Sequence, residues 1–126
     1  TTLAKKLYKT LKADWFNADK IRTKYNDYDF SYKGIIRQVK RMKTLADNSK
    51  KKYVIVDFVC PLSQQLKIFK PHFVIWMDTI KKGRYPNMNR MFKAPTKFDL
   101  RITKKNIKIN QTKSLDKILK YTGKLR

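Results

Sequence analysis

Leu3, Leu7 and Leu11 recur at every fourth position with lysines between them, the stripe of an amphipathic helix over residues 2–12. Residues 13–17 are short and aromatic and predict a strand. Ala18, Asp19, Lys20, Ile21 and Arg22 then turn the corner into a helix, followed by a polar, aromatic loop at 25–30. Ser31 can cap a long helix running to about Asp47, with Ile35, Val39, Met42 and Ala46 on one face and Lys33, Arg37, Lys40 and Arg41 on the other. The runs at 53–59 and 73–77 are nearly continuously apolar and β-branched or aromatic. That pattern predicts strands buried on both faces of a parallel sheet.

Between those strands, residues 63–70 form a short helical crossover bounded by Pro61 and Pro71. Residues 79–95 carry high charge, Gly83 and Pro86 and little periodicity, the pattern of a lid-like excursion rather than core. Residues 98–102 alternate weakly as a last strand. Ser114 can cap a final helix through Leu115, Ile118 and Leu119, with Gly123 ending it. Strands alternating with helices predict an α/β fold built from right-handed βαβ units. A length of 126 residues allows one domain, 1–126, around one core. Because the apolar stripe is already under way at Leu3, a segment is expected to precede Thr1.

With 41% apolar and 13% aromatic residues, the chain has the material for a packed core. The formal charge of +23 admits three origins: codon bias toward lysine, an anionic small substrate, or a nucleic-acid surface that exchanges counterions for lysines. No apolar run approaches a membrane span and no secretory signal pattern appears, which predicts a cytoplasmic protein without a membrane partner. Cys60 and His72 are each the single residue of their kind and are expected to be structural.

The opening Thr1, Thr2, Leu3, Ala4, Lys5, Lys6, Leu7 looks like the tail of a Walker A segment, where Gly-Lys-Thr-Thr-Leu-Ala leads into a helix. Asn17-Ala18-Asp19-Lys20-Ile21-Arg22 is similar to the Asp-Gly-Asp-Asn-x-Arg segment of adenylylsulfate kinases. Asp29-Phe30-Ser31, the helix with Lys40-Arg41, the strand at 54–58, Pro61 and Trp76-Met77-Asp78-Thr79 follow in that family's order. The chain thus resembles a compact, phage-type adenylylsulfate kinase, whose short lid is similar to Gly83-Arg84-Tyr85 through Asn89-Arg90-Met91-Phe92. The resemblance implies a P-loop NTPase fold, three-layer α/β/α with a parallel sheet in the order 2-3-1-4-5. It further implies that the central first strand and its phosphate loop precede Thr1, which predicts an empty slot, or direct contact, between the strands at 53–58 and 73–77.

The implied reaction is transfer of the γ-phosphoryl group of MgATP to the 3′-hydroxyl of adenylyl sulfate, a step of sulfate assimilation in the cytoplasm of a cell or of a phage host. Thr1 matches the Mg²⁺-ligating hydroxyl, and its other reading is a helix N-cap. Asp19 matches the carboxylate that orients or deprotonates the acceptor, and otherwise suits the helix dipole. Arg22 matches a substrate-binding arginine, with an ion pair to Asp19 as the plainer role. Phe30 matches an aromatic stacked on the acceptor adenine, or is a core plug. Lys40 and Arg41 are carried over as substrate-binding. Asp57, a charge within an apolar run, is expected at the strand end facing phosphates or paired with a cation. Lys81, Lys82, Arg84 and Arg90 are a cationic lid over ATP or an exposed charged loop.

Asn17 and Ala18 replace the family's Asp and Gly, Ile35 replaces an arginine, and Leu62 and Ser63 follow Pro61 without the usual arginine. These departures bear on the acceptor more than on the kinase class. They leave open a P-loop kinase for another acceptor, such as a nucleotide or a polynucleotide 5′-hydroxyl, and a non-enzymatic basic nucleic-acid-binding module.

Overall fold

The computed structural model describes residues 2–79 and 94–124, so the lid residues Lys81, Lys82, Arg84 and Arg90, together with Thr1, lie outside the described residues. Helix α1 (Thr2–Leu11) follows directly from the leucine stripe and buries Leu3, Ala4 and Leu7. It stops at Lys12, which takes a left-handed conformation at φ 52°. Strand β1 (Asp14–Asn17) runs straight into α2 (Ala18–Tyr25), because the Asn17 side chain accepts the Lys20 N–H at 3.1 Å and caps the new helix.

Asn26, at φ 48°, ends α2 by donating its N–H to the Arg22 and Thr23 carbonyls. Ser31 caps α3 (Tyr32–Asp47) through the Gly34 N–H. The remaining elements are β2 (Val54–Asp57), α4 (Ser63–Phe69), β3 (Ile75–Met77), β4 (Leu100–Ile102) and α5 (Ile107–Lys124). The architecture is mixed α/β.

The described strands form two parallel pairs, β1 with β2 and β3 with β4. β2 and β3 are not hydrogen-bonded neighbours, so direct pairing between them is the alternative the structure does not take. What links the two pairs is the apolar face of α1. Leu3 and Leu7 pack in one cluster with Ile55 of β2, Ile75 of β3, Leu100 and Ile102 of β4, and Leu115 and Ile118 of α5. A second buried set, Ile35, Val39 and Met42, lies along α3, which packs on α4, α2 and the β1–β2 pair.

Three expectations are corrected. β2 is half-buried throughout and Met77 of β3 is 44% exposed, so these strands are less buried than their apolar runs predict, and each has one strand partner among the described residues. Ser114 does not cap the last helix but lies inside α5, completely buried, with no partner for its hydroxyl among the described residues. The cap is Asn106 instead, whose side chain accepts the Ile109 N–H while its carbonyl accepts the Asn110 N–H. Gly123 does not end α5, which continues to Lys124; no glycine in the described residues takes the positive φ that a glycine stop exploits.

Candidate functional site

The parallel pairing of β1 and β2 brings Asn17 level with Asp57 at the C-terminal ends of both strands. Asn17 donates from Nδ2 to Asp57 Oδ2 at 2.8 Å while its own Oδ1 caps α2. One amide therefore fixes both the start of α2 and the carboxylate at the end of β2. Asp57 thus sits at the strand end, as the apolar run around it requires.

Immediately beyond lies a narrow cleft of about 20 Å³, lined by Asp19, Arg22, Phe30, Gln38, Phe58 and Gln65 among others. That volume holds about one water molecule, so a nucleotide enters only if the walls part. The exposed Asp19 stands in the first turn of α2, where its charge suits the helix dipole. Arg22, one turn later, is only 4% exposed. Its Nη1 donates to the carbonyls of Asp27 (3.0 Å) and Asp29 (3.4 Å), and its guanidinium lies 4.3 Å from the centre of the Phe30 ring. A buried charge is costly unless partnered, and the loop following α2 supplies these partners.

That loop is held by α3. Asp27 accepts from Arg37 (Nε at 2.9 Å, Nη2 at 3.3 Å), from Arg41 Nη2 at 3.1 Å and from the Asp29 N–H at 3.1 Å. The Arg37 hydrogen bonds, aided by the Asp29 amide and Arg41, hold the Asp27 carboxyl far below the usual carboxylate range against the opposing effect of burial. Asp29 is also lowered, by Ser31 hydrogen bonding first and then by Arg37. Gly34 belongs to the same contact: a Cβ there would fall 2.0 Å from the Asp29 carbonyl oxygen.

Comparison of the chain with protein-family models, with curated proteins and with solved structures yields no match.

Of the residues singled out in the sequence, the cleft brings together Asp19, Arg22 and Phe30. Asp57 lies beside Asn17, next in sequence to the cleft residues Phe58 and Val59, but does not line the cleft itself. Arg41 is turned toward Asp27, the Gln38 Oε1 atom (2.8 Å) and the Tyr25 ring (4.3 Å), and Lys40 is exposed on α3; neither lines the cleft. His72 is exposed, and burial pushes the Cys60 thiol up to about 11, which leaves it protonated and unreactive at neutral pH.

Sequence reasoning passed over Gln38 and Gln65, the two buried amides of the cleft. Gln38 donates to the Ala18 carbonyl at 3.1 Å, joining α3 to the start of α2. Its signal was available: it sits between Ile35, Val39 and Met42 as the polar residue on an apolar helix face. Gln65 accepts the Leu62 N–H and donates to the Val59 carbonyl, the reach-back of a glutamine three residues after a helix cap.

Proposed function

We propose that this chain carries the acceptor half of an adenylylsulfate-kinase-like phosphotransferase of P-loop type, acting on the 3′-hydroxyl of adenylyl sulfate with ATP as donor. The observation that supports this reading best is the cleft at the end of β1, where a carboxylate (Asp19), a buried guanidinium (Arg22) and an aromatic ring (Phe30) line one space. An acceptor needs those three groups: a carboxylate to orient or deprotonate the hydroxyl, a cation for the anionic phosphosulfate, and a ring for the base. The position at strand C-termini is where open α/β sheets hold ligands. Because Phe30 already stacks with Arg22, an incoming adenine shares that ring or displaces the guanidinium.

ATP would supply the transferred phosphoryl group and Mg²⁺ would neutralise its charge. The described residues do not by themselves make a magnesium centre: no group of three carboxylates, histidines or cysteines converges among them. Nor do the 126 residues contain a Gly-x-x-x-x-Gly-Lys run. The donor side of the reading rests on the resemblance of Thr1, Lys81, Arg84 and Arg90.

The test is a coupled assay of MgATP-dependent phosphorylation of adenylyl sulfate by the protein that carries this chain, with Asp19→Asn beside it. Turnover that drops by roughly 10² to 10⁴ in the variant is the expected result, the range for loss of a positioned acid or base. Phosphorylation of a different nucleotide or of DNA ends without turnover of adenylyl sulfate would reject the acceptor and keep the kinase. Full activity in Asp19→Asn would return that carboxylate to a helix-dipole role.

A further inference from the structure

We propose that Asp27, which does not touch the cleft, is a positioning residue that sets acceptor affinity by holding the Arg22–Phe30 wall in place. The proposal rests on the reading of the cleft as an acceptor site. Its basis is an unusual concentration of charge: the guanidinium groups of Arg22, Arg37 and Arg41 all approach one carboxylate, that of Asp27, whose side chain is 12% exposed. Asp29 pairs with Arg37 at 3.0 Å in the same corner.

Asp27 acts on Arg22 in two ways. Its carboxylate lies 4.0 Å from Arg22 Nη1, offsetting the repulsion from the other two arginines, and its main-chain carbonyl accepts from the same nitrogen. The backbone can present that carbonyl, and the carbonyl of Asp29, only while the loop stays pinned to α3. Arg37 and Arg41, one turn apart on α3, pin it through the carboxylate, and Gly34 lets the Asp29 carbonyl approach the first turn of the same helix. Phe30 sits between Asp29 and the Ser31 cap, so the ring moves with the loop. Removing the Asp27 charge takes away the carboxylate that Arg22, Arg37 and Arg41 share, and the wall of the cleft gives way while Asp19 stays on α2.

The experiment is titration of the full chain with adenylyl sulfate by calorimetry, with amide hydrogen exchange over residues 26–34 measured on the same samples, for the wild type, Asp27→Asn and Arg37→Gln. Expected is a dissociation constant raised by up to about 10²-fold in Asp27→Asn, the scale of a displaced binding group, with faster exchange in the loop. Arg37→Gln, which leaves Arg41 on the carboxylate, should show a smaller loss. If Asp27→Asn does not fold, the Arg37→Gln result decides alone. Wild-type affinity in a folded variant, even one of lowered stability, would overturn the positioning role while the cleft reading stands. Failure of the wild type itself to bind adenylyl sulfate would sink the cleft reading, and this proposal with it.

Discussion

The two halves of the molecule are stabilised by different chemistry. Around α1 and α5, leucines and isoleucines from two helices and three strands meet in one apolar cluster. At the α2–α3 corner, the buried atoms are guanidinium, carboxylate and amide, each satisfied by a named partner over short distances. An apolar cluster tolerates rearrangement because its forces have no direction. A polar corner tolerates little, since losing one partner strands another in a low-dielectric setting. The candidate site lies against the second kind of structure, which suits the acceptor role proposed for it.

The largest effect is expected on the apolar face of α3, where it backs the polar corner. Met42, completely buried on α3, lines both the core and the cleft, and Met42→Ala should cost about 2–5 kcal/mol of stability, read as a lowered urea midpoint. A change below ~1 kcal/mol would mean that the α3 interface is loosely packed. The polar side should respond to acid instead. The folded pKa of Asp27 lies below its unfolded value, so its contribution is fully present above about pH 4, the ordinary aspartate range, and is lost as pH falls further toward the lowered folded value. Between pH 5 and pH 2 the wild type should therefore lose more stability than Asp27→Asn. Parallel acid limbs for the two proteins would show that the Asp27 interactions are no stronger folded than unfolded.

The smallest effect concerns the helix ends. Lys12 and Lys70 terminate α1 and α4 in the left-handed region, at φ 52° and 53°, where a side chain costs about 1 kcal/mol relative to glycine. Lys70→Gly should raise the thermal midpoint slightly, because it relieves that strain without touching the apolar cluster or the charged corner. A lowered midpoint would show that the Lys70 side chain makes a stabilising contribution larger than the strain.

Much of the secondary structure was legible because it is local. The leucine spacing of α1, the Ser31 cap and the Ile35–Val39–Met42 face of α3 each lie within a few residues of the groups they organise. The last helix was misread at Ser114 because a serine before an apolar run has the same local pattern whether it caps a helix or sits inside one. Asn106, the actual cap, was decided by its bonds to Ile109 and Asn110. Of the candidate site, Asp19, Arg22 and Phe30 were singled out in the sequence, and the fold brings the three to one cleft. The partners of Arg22 were not, since the loop carrying Asp27 and Asp29 is held in place by Arg37 and Arg41 of the next helix only after α2 and α3 fold together.

What the sequence determined by itself is thus the alternation of helices and strands, through periodicities of four and of continuous apolar runs. It also placed Asp57 correctly at the end of its strand, because a charge within such a run has to escape it. Only the tertiary structure decided that the strands stand as two parallel pairs bridged by α1, that Asn17 ties β1 to β2 through Asp57, and that Gly34 is needed where the Asp29 carbonyl approaches. Each of these depends on which distant segments come within a few ångströms of one another, and pairing of that kind is settled by packing, not by any pattern along the chain.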